Sequence, residues 1–138
     1  MENKRQHLEM IQNVISRMAS NSFALKGWAV TLVAGILVLA EKDTEKMYFL
    51  VALLPIVVFW GLDSYYLLQE RLYRALYEKV RQMSEVEIDF SMRASCSEFK
   101  SEVNTFFRCF TSVTELWFYF PLAMISTGIV ALTLWIKT

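Results

Sequence analysis

Apolar side chains along this chain gather into three runs, 22–40, 47–68 and 116–136, each about twenty residues long. A helix that crosses a hydrocarbon layer of about 30 Å needs about 20 such residues, because each one rises about 1.5 Å. The first run is broken only by Lys26 and the second only by Asp63, and the third carries no charge. Trp28, Tyr48, Trp60, Tyr65, Tyr66, Trp117, Tyr119 and Trp135 stand at or near the ends of the runs. Amphipathic rings favour the headgroup layer, so this placement is that of an aromatic belt. The pattern predicts an all-α integral membrane protein, a single membrane domain over 1–138 with three transmembrane helices. A soluble bundle of unusually apolar helices is the bland alternative, and the length of the runs speaks against it. Val38-Leu39-Ala40 resembles a signal-peptide cleavage site, but the stretch before it is too long and too amphipathic for a leader, and 22–40 is read as a retained span.

Between the runs the periodicity changes. Over 3–20, Leu8, Ile11, Ile15 and Met18 recur at three- and four-residue spacing, the seam of an amphipathic helix that leads into the first run, with or without a kink at Asn21-Ser22. Beyond the second run, Leu68, Leu72, Leu76, Val80 and Met83 keep the same spacing with no Pro or Gly, so that helix is expected to continue to about residue 83. Val86, Ile88 and Phe90 then alternate with Glu85, Glu87 and Asp89, which reads as an extended linker over 84–96 or as an edge meeting another copy. Phe99, Val103, Phe106, Phe107 and Phe110 suggest a further helix over 97–115 leading into the third run. Pro55 and Pro121 fall inside the spans, where they free a backbone carbonyl and bend the helix.

Composition narrows the class. Apolar residues make up 55% of the 138 and charged residues 20%, so a disordered chain is excluded. Fourteen basic residues balance fourteen acidic ones, which gives no overall pull toward nucleic acid, and direct nucleic-acid binding is not expected. The basic residues are unevenly placed. Eleven lie before residue 27 or between 71 and 108, against Lys42, Lys46 and Lys137 on the opposite side. The positive-inside rule therefore predicts a cytoplasmic N-terminus, cytoplasmic helical extensions at 3–20 and 69–115, and an external C-terminus. Cys96 and Cys109 would then lie in a reducing compartment, with no disulfide.

A charge inside a bilayer is costly and needs a partner or a route to water. Lys26 lies 14 residues from the outer end of its run and Asp63 lies 16 from the outer end of the next, about 21 and 24 Å. Joined by a short loop, the two helices place these residues at nearly equal depth, which predicts an interhelical ion pair. The alternative is that Lys26 snorkels alone to the headgroups and Asp63 marks the water boundary. Glu70, Arg71, Arg74 and Arg81 offer a polar cytoplasmic face, read either as a solvated helix surface or as a regulatory site for headgroups or a nucleotide. No catalytic constellation, cofactor motif or metal-spaced ligand set is present: the sole histidine is His7 and there is no Gly-rich phosphate loop. The chain is not read as an enzyme. Thr31 and Gly35 on the first run, and Ser126, Thr127 and Gly128 on the third, form small faces suited to close helix approach, which predicts a homo-oligomer, a ring or a dimer, in contact with lipid.

The strings Asn21-Ser22-Phe23-Ala24-Leu25-Lys26-Gly27-Trp28 and Phe59-Trp60-Gly61-Leu62-Asp63-Ser64-Tyr65-Tyr66-Leu67-Leu68-Gln69-Glu70-Arg71 resemble those of small bacterial inner-membrane proteins of the RipA-like octameric group. That group is in turn similar to ring-forming membrane accessory proteins of RNA-targeting CRISPR systems. The likeness covers mainly residues 8–80. It implies a homo-oligomeric ring in the bacterial inner membrane and a gated pore that depolarises the cell in phage defence. The Arg-and-His signature of some such accessories is missing here, so no nuclease activity is implied. Two functional expectations follow: a homo-oligomeric channel or pore, and alternatively a membrane-anchored scaffold whose cytoplasmic helices dock a protein partner.

Overall fold

The computed structural model of the chain describes residues 1–42, 47–102 and 104–137. Lys46, Val103 and the side chain of Tyr48, all used above, lie outside the described residues. The described residues form helices and connecting turns without a strand, and three of the helices are long and apolar enough to cross a membrane. This is an all-helical membrane protein.

Helix α1 spans Glu2–Lys42 and helix α2 spans Met47–Gln82. At about 1.5 Å per residue they are roughly 60 and 54 Å long, far more than a bilayer requires. Both amphipathic extensions are therefore continuous with their spans, and α1 passes through Asn21-Ser22 without interruption. The two helices lie antiparallel as one long hairpin. In its polar half, Ile11 and Ile15 of α1 are buried against Leu76 and Val80 of α2, flanked by Leu8, Tyr73, Tyr77 and Met83. Met18 is half-buried on the same side of α1. In its apolar half, Ala29 and Val33 meet Ile56, flanked by Leu37, Leu53 and Phe59. The seam read from the sequence is the line along which α1 and α2 touch.

After α2 the chain folds back on the hairpin. Lys4 Nζ donates to the carbonyls of Met83 at 2.6 Å and Arg81 at 3.0 Å, placing a cation on the α2 C-terminus, where the helix dipole favours one. A 3-10 turn follows at Glu85–Glu87, in which the Glu87 carboxylate accepts from the Ser84 hydroxyl and backbone N–H. Those donors hold the Glu87 carboxyl below the usual carboxylate range. Ile88 then tucks into the Ile11–Leu76 core. Phe90 sits at φ 56°, a left-handed conformation that is strained for an aromatic residue, with its ring edge-on to His7 at 5.5 Å. The segment is thus an irregular strap over the hairpin.

The helix expected over 97–115 is not formed. Among the described residues of 97–112 only α3, Phe106–Phe110, is helical, and α4, Val113–Ile136, begins after a break. Polar residues with short side chains account for the difference, since they bond local backbone in preference to extending a helix. Asn104 Nδ2 donates to the Phe99 carbonyl at 3.1 Å. Thr105 and Ser112 then serve as separate N-caps for α3 and α4. The phenylalanines expected on one side are split: Phe99 packs on the core, while Phe106 and Phe107 are exposed.

Helix α4 runs parallel to α1, with Lys26 near Glu115 at one end and Lys137 donating to the Glu41 carbonyl at 3.2 Å at the other. It docks through Tyr119, Phe118, Leu122 and Ala123. Most of its remaining surface, including Trp117, Phe120, Met124 and Ile125, is exposed and apolar.

Candidate functional site: a buried three-charge cluster

The three long helices converge where the apolar half of the hairpin meets its polar half. Lys26 on α1, Asp63 on α2 and Glu115 on α4 meet there. Asp63 and Glu115 are fully buried, and Lys26 keeps 16% of its side-chain surface exposed. Lys26 Nζ bonds Asp63 Oδ2 directly and reaches Glu115 Oε1 at 3.2 Å. It also donates to Ser22 Oγ at 3.2 Å. Ser22 in turn donates to Asp63 Oδ1. Tyr119 supplies a third donor to Asp63, its hydroxyl lying 3.0 Å from Oδ2. The ammonium also stands 5.7 Å from the Phe118 ring and 5.8 Å from the Tyr119 ring, within cation–π range.

The surrounding side chains fix this geometry. Trp60 stacks between Phe110 at 4.3 Å and Tyr119 at 5.9 Å, and its Nε1 donates to the Phe110 carbonyl at 2.9 Å. One indole thereby ties α2 to both α3 and α4. Ser64, buried beside Asp63, returns its hydroxyl to the Trp60 carbonyl at 2.7 Å. Just below, Cys109 is buried against Leu68 and Leu72, with Arg71 Nη1 donating to its sulfur at 3.5 Å. Burial pushes the Cys109 thiol up, which keeps it protonated.

Of the residues singled out in the sequence, Lys26 and Asp63 come together as partners. Glu115, Ser22 and Tyr119 were missed. Glu115 directly precedes the uncharged third run and forms a Ser112-x-x-Glu115 pattern, the usual mark of a helix start. Ser112 Oγ does accept from the Glu115 N–H, at 3.4 Å, while the Glu115 side chain turns inward to Lys26. Its equal depth with Lys26 was the available signal.

The polar face does not gather into one site. Glu70 pairs with Arg74 at 2.7 Å and Arg81 with Glu78 at 2.8 Å, both on the surface of α2, while Arg71 is turned toward α3. Among the small residues, Thr31, Gly35, Thr127 and Gly128 are exposed, but Ser126 is buried and bonds the Leu122 carbonyl at 2.7 Å. Its burial takes Ser126 off the outer face assigned to it. The described residues contain no group of three or more His, Cys, Asp or Glu placed to hold a metal ion. Comparison with protein-family models, with curated proteins and with solved structures finds no match, and the functional reading rests on the chain's own residues.

Proposed function

We propose that the protein is the subunit of a homo-oligomeric channel or pore in the bacterial inner membrane. Its N-terminus and the 69–112 segment face the cytoplasm and its C-terminus lies outside, in keeping with the excess of basic residues on the first side. The observation that carries this reading is the exposed stripe Gly27–Thr31–Gly35 on α1. These residues stand at four-residue spacing, and a Cβ added at either glycine would meet nothing. The Thr31 hydroxyl is satisfied internally by the Gly27 carbonyl at 2.9 Å, so the stripe presents little more than backbone and methyl groups. Thr127 does the same on α4, bonding the Ala123 carbonyl at 2.8 Å, beside exposed Gly128. Such faces let membrane helices of neighbouring copies approach closely. The three-charge cluster, spent on contacts within one subunit, serves as the brace that holds each subunit's three spans in register.

The resemblance to ring-forming membrane proteins supplies the physiological setting, membrane depolarisation as a defence against phage. The experiment is flux from liposomes. Purified protein reconstituted at increasing density is expected to release a trapped ion or dye, with the detergent-extracted complex at a mass that is a multiple of 16.1 kDa. A monomeric mass, or sealed liposomes at every density and trigger, rejects the proposal.

A second reading has one observation in its favour. In the polar half, Val86 is 96% exposed and Phe107 73% exposed, apolar surface outside the spans that fits a scaffold docking a cytoplasmic protein. That reading expects a soluble partner to co-purify and a membrane assembly that does not conduct.

A further inference from the structure

The cluster at the centre of the molecule does not balance. One ammonium serves two carboxylates, and both carboxylates are sealed from solvent. They are served unequally. Asp63 takes Lys26 and Tyr119 on one oxygen and Ser22 on the other. Glu115 takes Lys26 on Oε1 alone, while its buried Oε2 has no hydrogen-bond partner among the described residues. An excess negative charge in such surroundings is far more costly than a neutral carboxyl group, and a proton is the smallest ligand that removes it.

We infer that Glu115 is an exchangeable proton-binding site and that the proton it carries holds the start of α4 against the α1–α2 hairpin. The inference goes beyond the proposed function and does not require the assembly to conduct. The charged and titratable groups around Glu115 come from every element packed there: Lys26 from α1, Asp63 from α2, Cys109 from α3 and Tyr119 from α4 itself. Lys26 and Tyr119 both donate to Asp63, and Arg71 donates to the Cys109 sulfur. Glu115 is thus the carboxylate with an oxygen to spare. It lies in the first turn of α4, and the partly exposed Lys26 gives the cluster contact with the outside.

The step is a simple one: carboxylate plus a proton from the adjoining water gives a neutral carboxyl, whose C–O–H no longer repels Asp63. When α4 swings off, Glu115 enters water and ionises as an ordinary carboxylate. The docked state therefore holds one proton more than the undocked state, and docking weakens as pH rises. The docking equilibrium falls by up to about tenfold per pH unit above the ordinary carboxylate value of about 4.3, and levels off once the docked carboxyl itself gives up its proton.

Cys109, buried beneath the cluster, is a native reporter of this opening once the other cysteine, exposed Cys96, is replaced by alanine. In lipid nanodiscs the rate of Cys109 modification by a maleimide is measured from about pH 5 to about pH 9 and divided by the rate in Glu115→Gln, which removes the thiol's own ionisation. The ratio is expected to climb with pH by up to about tenfold per unit and to reach a plateau where Glu115 is ionised even when docked. Asp63→Asn leaves Lys26 facing one carboxylate, so its cluster balances without a proton and its rate, divided in the same way, is expected to stay flat. Infrared spectra should show a carboxylic-acid carbonyl band in the wild type that fades as pH rises and is missing from both variants at neutral pH. A flat wild-type ratio, or a band that persists in Glu115→Gln, overturns the inference. If Glu115→Gln does not fold, the wild-type and Asp63→Asn rates and bands are compared directly, with identical pH profiles as the overturning result. Sealed liposomes would reject the pore while leaving these readouts intact.

Discussion

Among the described residues Lys26 is the only cation in contact with two buried acids, and this makes the cluster sensitive to the sign of each charge more than to side-chain size. Lys26→Glu places three acids together, and Asp63→Lys sets two cations beside one acid. Each single reversal is expected to lower the stability of the extracted protein by about 3–5 kcal/mol, the usual cost of stranding a buried charge. The double variant restores one cation facing two acids and should recover most of that loss in a thermal unfolding assay. If the double reversal is no better than the singles, the residues do not act as a pair. Tyr119→Phe is a milder change. It removes one donor to the charged Asp63, about 1.5–3 kcal/mol, yet keeps the ring on Trp60, so stability should drop while assembly mass stays constant. The Lys26–Asp63 part of the cluster was legible in the sequence because a charge inside an apolar run calls for a partner and depth can be counted along a helix. Glu115 was not, because an acid three residues after a serine at a helix start already has a local explanation. Local and tertiary roles coincide at that position, and periodicity cannot separate them.

At the scale of elements, the long helices were readable because α1 and α2 bury one narrow stripe over their whole length. Leu8, Ile11 and Ile15 repeat against Leu76 and Val80, and the stripe takes in polar residues only at buried His7 and at the Ser22–Lys26–Asp63 contact. The 97–115 segment was misread because its phenylalanines have helical spacing while Asn104, Thr105 and Ser112 supply competing backbone bonds. There the polar residues prevailed over the apolar pattern. The strap over 84–100 owes its position to Ile88, to Tyr73 donating to the Met92 carbonyl at 3.2 Å, and to Lys79 pairing with Glu98 at 2.6 Å. Ile15→Ala tests whether the polar half is held separately from the spans. It opens a cavity where α1, α2 and the strap meet, and is expected to cost about 2–5 kcal/mol. Hydrogen exchange should accelerate across 2–18, 69–82 and the strap, while backbone protection around Ala29, Val33 and Ile56 is retained. Equal acceleration in both halves would mean that the hairpin melts as one cooperative unit.

For the whole molecule the question is what covers the outside of the spans. Within one subunit α4 buries only a strip centred on Tyr119 and Ser126, and most of the apolar surface of all three spans is exposed. Lipid tails can cover such surface as well as protein can, so apolarity alone gives no reason to assemble. Close backbone approach does, through dispersion contacts that a lipid chain cannot match along the exposed stripe of Gly27 and Gly35. That makes the stripe a discriminating position. Gly35→Leu adds its Cβ where nothing lies within 4 Å, on an exposed face, so the isolated subunit should fold unchanged, with its helix content and the three-charge cluster intact. In a helix interior leucine is also favoured over glycine, by about 0.8 kcal/mol, so no loss of subunit stability is expected. If copies meet at this stripe, the added leucine holds them apart, and the detergent-extracted complex should drop in mass toward that of a single chain. Thr31→Leu, one turn away, should act in the same direction, and Trp117→Leu, an apolar exchange away from the α1 stripe, should leave the mass unchanged. An unaltered mass in both stripe variants would move the contact between copies to another face, with the exposed Thr127–Gly128 surface of α4 the next to be filled.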